Sequence, residues 1–526
     1  MLGGAQSADQ RWLPLLYLVA RRGRGVREGE GLDPPRGARR REAAAAGDPR
    51  REGSSLPGGA GGADRARGSE RDAAALSRGQ PRLQQHPVQV PSRDGRLDAG
   101  ETRVVTVALD LRTSHVIRER RTVRTFADAP VTRDTLERII DAARWAPSAG
   151  NAQPVRLIVL RPETDRATLP ALQAIAQESK RISSYWVAMF RPTGVREYVI
   201  VADPSRSGGY AGDRGGHLVA AAAAIQNMKL QLHAEGLGAV LYTHWIEEKA
   251  KMLLDVPRTW SFIGLLCLGW PVPLDTKERR AALHRKSLEQ IAFVDRFGNA
   301  SHWPPPQTPR DELDITDAIR RRRSVRRFTD APLDDARVTL LLESARWAPS
   351  AGNFQPWRFI VVRDRAVRER LQRAADLARE ANADLGLSGE PRVDLVSAPV
   401  VIAITADPQK IGPHVHGEMT HLIGASLAAE NLWVQATAIT LGAVLVRQLV
   451  HDLARAALAV PADEELLGVI AIGEPAEAPP ATRRLDRNEL AREHGFDGHP
   501  GEDPGIAPLP AVWRSERGIF EDRSAR

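Results

Sequence analysis

The sequence predicts a protein of mixed helices and strands, folded as two tandem domains of the same kind. Three observations carry this. A segment of about 190 residues occurs twice, nearly colinear: Ile117 matches Ile319 and Pro154 matches Pro356 at an offset of 202, and Asn227 matches Asn431 and Gly269 matches Gly473 at 204. Within each copy, apolar positions at helical spacing alternate with short apolar runs of strand length. A Pro-rich stretch, 299–311, separates the copies. Repeats this long are whole domains rather than solenoid units, and duplicated domains are expected to pair across a pseudo-two-fold axis, as a homodimer would.

The chain has 526 residues, enough for more than one buried core. Residues 1–107 read as a disordered or spuriously translated extension. Runs such as GARRREAAAAG and SSLPGGAGGADRARG have no periodicity and too little apolar content to offset ordering entropy. Trp12–Ala20 is apolar but too short to span a bilayer. Its basic residues mostly follow it, the wrong order for a signal peptide. Of the formal net charge of +8, residues 1–103 supply +6, from 19 Arg against 13 Asp and Glu. The rest shows no basic stripe with interleaved aromatics, so neither nucleic acid nor membrane is an expected partner. The single cysteine, Cys267, lies in an apolar run; it excludes a disulfide framework, reads as core filler and fits a cytoplasmic location.

The first domain is expected over 108–298. Leu111–Arg121 reads as a helix, and Thr132–Trp145 as a second, with Leu136, Ile139, Ile140 and Ala143 on one face. A loop and a strand, Val155–Leu160, follow. A helix, a strand (Tyr198–Ala202) and a long helix (His217–Glu235) come next, the last stopped by Gly236-Leu237-Gly238. Ala239–Thr243, Glu247–Leu254 and Phe262–Gly269 read as strand, helix and buried strand. The second domain, 312–497, repeats this order, and 498–526 is a tail. The long helices carry LVAAAAAIQN and LIGASLAAEN; small residues at successive turns allow close approach between domains, although Ala-rich core helices would look the same.

Two motifs carry the chemistry. The first is RWAPSAGNAQP (Arg144–Pro154), repeated as RWAPSAGNFQP (Arg346–Pro356). Proline and the restriction on its predecessor end the helix there. The loop then offers small residues, bare backbone and two amides, which suits a flat polar ring as well as a plain helix–strand connection. The second is Arg120-Arg121-Thr122-x-Arg124, repeated as Arg322-Arg323-Ser324-x-Arg326. Guanidinium groups and a hydroxyl at a helix end make a phosphate clamp, since arginine gives bidentate, charge-assisted bonds. A solvated basic helix end is the plain alternative. Arg285 and Arg484, late in each repeat, could close such a clamp.

Together RRTVRTF and RRSVRRF, APSAGNAQP and APSAGNFQPW, IQN…GLG and AEN…LG, and the closing GWP and GEP segments resemble the FMN-dependent nitroreductase family. The resemblance covers about 110–300 and 312–497. It implies an α+β fold, a central mostly antiparallel sheet flanked by helices, and here a dimer fused into one chain that would be a monomer with an internal pseudo-two-fold. It also implies two FMN sites between the repeats. One would take Arg120, Arg121, Thr122, Arg124 and Arg285 from the first repeat with Pro349, Ser350 and Asn353 from the second. The other would take Arg322, Arg323, Ser324, Arg326 and Arg484 with Pro147, Ser148 and Asn151. Backbone at Leu241, Thr243, Leu445 and Arg447 would face the flavin's redox edge.

The implied activity is hydride transfer from NAD(P)H through FMN to a nitroaromatic, quinone or similar small acceptor. The alternatives are a specialised flavin dehydrogenase, a flavin-modifying enzyme, or a non-catalytic FMN-binding protein. The flavin would carry the chemistry, so no catalytic side chain is required. Thr440 in place of Gly236, and Ala152 and Val155 in place of Phe354 and Trp357, make the two pockets unequal. PHVHGEMTH (His414, His416, Glu418, His421) matches no common zinc spacing, and no metal is expected.

Overall fold

The computed structural model describes residues 83–89 and 104–493, except 128, 161–166, 169, 173, 176–195, 203, 207–214, 244–246, 272–283, 386–390 and 411–419. All of these belong to one unit, Ala75–Arg526. The extension expected to lack structure up to residue 107 contributes a strand pair: β1 (Leu83–Gln89) runs antiparallel to β2 (Val104–Asp110). The run Val104–Val107 is the local reason, being rich in β-branched residues.

The first repeat continues with α1 (Thr113–Glu119), α2 (Arg133–Arg144), β3 (Val155–Leu160), β4 (Arg196–Ala202), α3 (Gly216–Ala234), β5 (Gly238–Tyr242), α4 (Glu247–Leu253), β6 (Ser261–Gly269), α5 (Leu288–Ile291) and β7 (Ala292–Val294). The second has α6 (Ile315–Arg321), α7 (Asp335–Arg346), β8 (Trp357–Val362), α8 (Arg365–Asp384), β9 (Val400–Ala406), α9 (Thr420–Ala438), β10 (Gly442–Val446), α10 (His451–Leu458), β11 (Glu465–Gly473), α11 (Arg487–Leu490) and β12 (Ala491–Glu493). Helix α2 starts where the sequence places it because the Thr132 hydroxyl accepts from the Thr135 N–H; Asp334 does the same for α7 through the Arg337 N–H.

Each repeat forms a five-stranded sheet, in the orders β12-β3-β4-β6-β5 and β7-β8-β9-β11-β10. The inner pairings are antiparallel. The outer strand of each sheet is the exception, since β12 pairs parallel to β3 and β7 parallel to β8. These strands come from the opposite repeat. The sequence assigns 288–294 to the first domain and 487–493 to the second; the structure exchanges them, so each sheet is completed by the other repeat's last segment. The stretch expected as a bare linker also contributes to the core through Trp303, which is buried.

Helices α3 and α9 are apolar nearly all round and buried, as a helix must be when every face meets protein. They pack against each other, and the Gln226 amide donates to Asn431 Oδ1 at 2.5 Å. Around them lies a core common to both repeats: Val116, Ile117, Leu230 and Ala234 with Ile315, Ile319, Val434 and Ala438. Backbone bonds tie the entries to α1 and α6 together, Thr113 N–H to Leu313 O and Ile315 N–H to Leu111 O.

Each repeat on its own lacks one strand and half of this common core. Exposing each Leu or Ile there costs about 1.5–3 kcal/mol. A fragment of residues 104–298 is therefore expected not to fold alone but to fold when co-expressed with 299–526. Circular dichroism and denaturant titration check this, and cooperative unfolding of the isolated first fragment is the opposing result.

Candidate functional site

The clamp motif is a strand-like segment docked on the edge of a sheet. Thr122 bridges Ala239 and Ser324 bridges Ala443, and the N–H groups of Val123 and Val325 donate to the same two residues' carbonyls at 3.1 Å. Close approach requires glycine on the strand. A Cβ on Gly238 would lie 2.3 Å from Val123, and one on Gly442 2.6 Å from Val325. Phe126 and Phe328 pin the far end over Gly269 and Gly473. The apolar residues of RRTVRTF and RRSVRRF therefore fix the backbone, leaving the arginines to point elsewhere.

The PSAGN loops owe their composition to backbone shape. In the first, Gly150, Asn151 and Gln153 have φ of +54°, +57° and +48°; in the second, Gly352, Asn353 and Gln355 have +53°, +58° and +50°. Glycine tolerates this left-handed region, and asparagine is enriched in it. Ser148 and Ser350 close the loops, each hydroxyl accepting from the N–H five residues on, at 2.9 Å.

The loop of each repeat grips the exchanged arm of the other. Arg285 donates to Asn353 Oδ1 at 2.6 Å, the Asn353 amide donates to His284 O at 2.9 Å, and Lys286 N–H donates to Gln355 Oε1 at 2.9 Å. The second set matches: Arg484 to Asn151 Oδ1 at 2.6 Å, Asn151 to Arg483 O at 2.9 Å, and Leu485 N–H to Gln153 Oε1 at 2.8 Å. Beside each grip a tryptophan gathers cations. Arg121, Arg285 and Arg346 lie 5.3–5.5 Å from the Trp347 ring; Arg323, Arg484 and Arg144 lie 5.3–5.7 Å from Trp145. Two clusters result, each with its clamp arginines and arm from one repeat and its loop and tryptophan from the other.

Within each cluster a guanidinium is buried without enough acceptors. Arg120 is 5% exposed and its Nε and Nη1 have no hydrogen-bond partner. Arg322 is 2% exposed with the same two atoms unpaired, and the Nε of Arg285 and of Arg484 are unpaired too. Burial, followed by Arg285 and Arg121, pushes the Arg120 pKa down to about 9. Burial brings Arg322 and Arg484 to about 10. All stay charged at neutral pH, and such groups call for an anion.

Other expected positions stand as follows. Arg124 is exposed, while the Arg326 guanidinium donates to Ser324 O at 3.2 Å. Pro147 and Ser148 line a small recess that also touches Arg144, Gln153, Ala220 and Leu485; Pro349 is buried. Leu241 and Leu445 lie on the edge strands that carry the clamps, Thr243 just beyond β5, and Arg447 donates from Nε to Leu467 O at 3.2 Å. His414, His416 and Glu418 lie outside the described residues, and His421 Nε2 sits 2.6 Å from Glu465 Oε2. Sequence reasoning did not single out Trp145, Trp347, Lys229 or Glu430. The tryptophans stood inside the loop motif, and the charges interrupting two apolar helices were the available signal.

Gly150 and Gly352 offer a comparison of the two loops. A Cβ on Gly150 meets nothing within 4 Å, whereas one on Gly352 would lie 2.6 Å from the Phe354 ring. Both Gly→Ala variants bear the positive-φ strain, and Gly352→Ala is expected to cost about 1 kcal/mol more. Denaturant titration of the two variants checks this; equal losses would show that Phe354 moves aside freely.

The model of the nitroreductase family matches residues 117–270 and 319–474. A 5,6-dimethylbenzimidazole synthase of Rhodospirillum rubrum is 35% identical over 184 residues, 32% of this chain and 85% of its own. An NADH dehydrogenase of Thermus thermophilus is 30% identical over 203 residues, 33% of this chain and 92% of its own. A crystal structure of a putative nitroreductase in complex with FMN from Desulfovibrio desulfuricans aligns with a TM-score of 0.28 and 30% identity, over 34% of this chain and 96% of that one. The chain belongs to the nitroreductase family, whose domain it carries twice.

Proposed function

We propose that the chain is an FMN-dependent oxidoreductase that takes hydride from NAD(P)H and passes it to a small acceptor such as a nitroaromatic or quinone. The observation that carries the reading is the pair of clusters, each holding buried guanidinium atoms without acceptors beside a loop of bare backbone. Their donor set fits a phosphate. Arg120, Arg121 and Arg285 would hold one FMN phosphate, and Arg322, Arg323 and Arg484 the other. The flavin, when bound, supplies the hydride chemistry. The protein's part is to place it: Asn353 and Asn151 fix the arm arginines, and the edge strands at Leu241, Thr243, Leu445 and Arg447 offer backbone to the ring.

The fused chain would act as a monomer in which each site draws on both repeats, and the single cysteine fits a cytoplasmic setting. The relative named as a 5,6-dimethylbenzimidazole synthase favours a second reading, in which the flavin is modified rather than used for turnover.

The test is the purified chain's visible spectrum, its FMN content, and NADH and NADPH consumption with and without a nitroaromatic. Flavin-dependent, acceptor-dependent consumption supports the first reading. Loss of the bound flavin without nicotinamide oxidation supports the second. Arg120→Ala removes charge-assisted bonds of about 1.5–3 kcal/mol each, and combined with Arg124→Ala, which takes away a further nearby positive charge, should empty one site. Asn353→Ala should perturb that same flavin from the other repeat. If it perturbs only the flavin lost in Arg322→Ala with Arg326→Ala, each site is built within one repeat.

A further inference from the structure

The two clusters are pseudo-symmetric in their arginines but not in the helices behind them. Helix α9 presents Glu430 and Trp433; at the matching positions α3 presents Gln226 and Lys229. In the second cluster the Arg322 guanidinium stacks 4.6 Å from the Trp433 ring centroid. Glu430 is buried, its Oε1 makes no hydrogen bond, and its charge acts on Arg322 and Arg484. In the first cluster no carboxylate among the described residues stands in its place. Lys229 is buried there, and burial, then the positive charges of Arg120 and Arg124, hold its pKa well below the usual lysine value. One cluster thus carries an internal counter-anion, and the other sets buried basic groups together, so that an incoming anion would also favour the charged form of Lys229.

We propose that these are unequal anion sites: the first takes a phosphate group tightly through Arg120 with Lys229, and the second takes one only as Glu430 is neutralised by a proton. The assignment rests on the reading of the clusters as FMN phosphate sites. An incoming dianion and the Glu430 carboxylate would compete for the same guanidiniums. Arg322 faces Glu430 from the clamp, Arg484 from the exchanged arm and Asn227 from α3, with Arg323 and Arg144 beyond Arg484. Burial raises the Glu430 pKa to about 7, against the opposing pull of Arg322. A phosphate dianion nearby favours the protonated acid further, so binding takes up a proton. The sign follows: second-site affinity falls as pH rises above 7, by up to about tenfold per unit for one linked proton. Between pH 7 and 9 the FMN phosphate is itself mostly dianionic, its second ionisation lying near 6, so that loss is not the ligand's.

The experiment is fluorescence titration of the full-length apoprotein with FMN at pH 7, 8 and 9, with phases assigned by Arg120→Ala and Arg322→Ala. The expected result is one tight and one weak phase, the weak one weakening with pH. Glu430→Gln should tighten the weak phase tenfold or more and flatten its pH profile. Gln226→Glu should weaken the tight phase by a similar factor, and Lys229→Met should weaken it several-fold. Two phases of equal affinity, or a pH profile that Glu430→Gln leaves unchanged, would overturn the proposal. Should Glu430→Gln fail to fold, the wild-type pH profile and Gln226→Glu decide. If the chain binds no FMN, the functional reading fails separately. Calorimetry with inorganic phosphate then tests the inequality: two unequal classes sustain it, and one class or none overturns it.

Discussion

The exchange of the last strands holds the rest of the structure in place. Strands β7 and β12 are only three residues long, too short to pair stably by themselves. What fixes them is the seating of each arm on the opposite repeat: one asparagine in each loop accepts from an arm arginine and donates to the backbone next to it, a glutamine accepts from the arm backbone, and Ile291, Ala292 and Leu490 are buried in the core. Because Asn353 and Asn151 sit in left-handed backbone, their side chains project out of the loop towards the arm rather than along the strand. Once the arms are seated, each sheet is complete and each cation cluster has both its halves.

The clusters place positive charge where water cannot screen it. Buried guanidiniums without acceptors are costly, and a fold keeps them only where other packing holds them there. Here that packing is apolar: Val123 against Gly238, Phe126 against Gly269, and the matching contacts of the second repeat. The clamp backbone is set by residues with no chemistry, and the arginines are carried along. The tryptophans at the ends of α2 and α7 cover the cations and lower the cost of their mutual repulsion through the face of the ring.

Duplication within one chain releases a constraint that a homodimer cannot escape. Two identical subunits must present the same residue at both sites. A fused pair can change one copy alone, and the helices behind the clusters differ in charge: Gln226 and Lys229 in one, Glu430 and Trp433 in the other. The loops differ as well, with Ala152 and Val155 set against Phe354 and Trp357.

The sequence by itself determined the local structure and its repetition. Helices α2 and α7, the long helices α3 and α9, and the strand after each PSAGN loop follow from caps, periodicity and turn residues, which act over a few positions. The clamp and loop motifs were legible because they occur twice with one spacing. Their joining across the repeats was implied by resemblance to a family, not by periodicity. Only the tertiary structure decided which sheet the final segments complete, that Trp303 enters the core, and that β1 pairs with β2 inside the expected extension. These depend on contacts between distant residues, and a three-residue strand leaves no periodic trace. The same holds for Lys229 and Glu430: in a helix buried on all sides, the pattern of apolar residues does not say which neighbour a lone charge will meet.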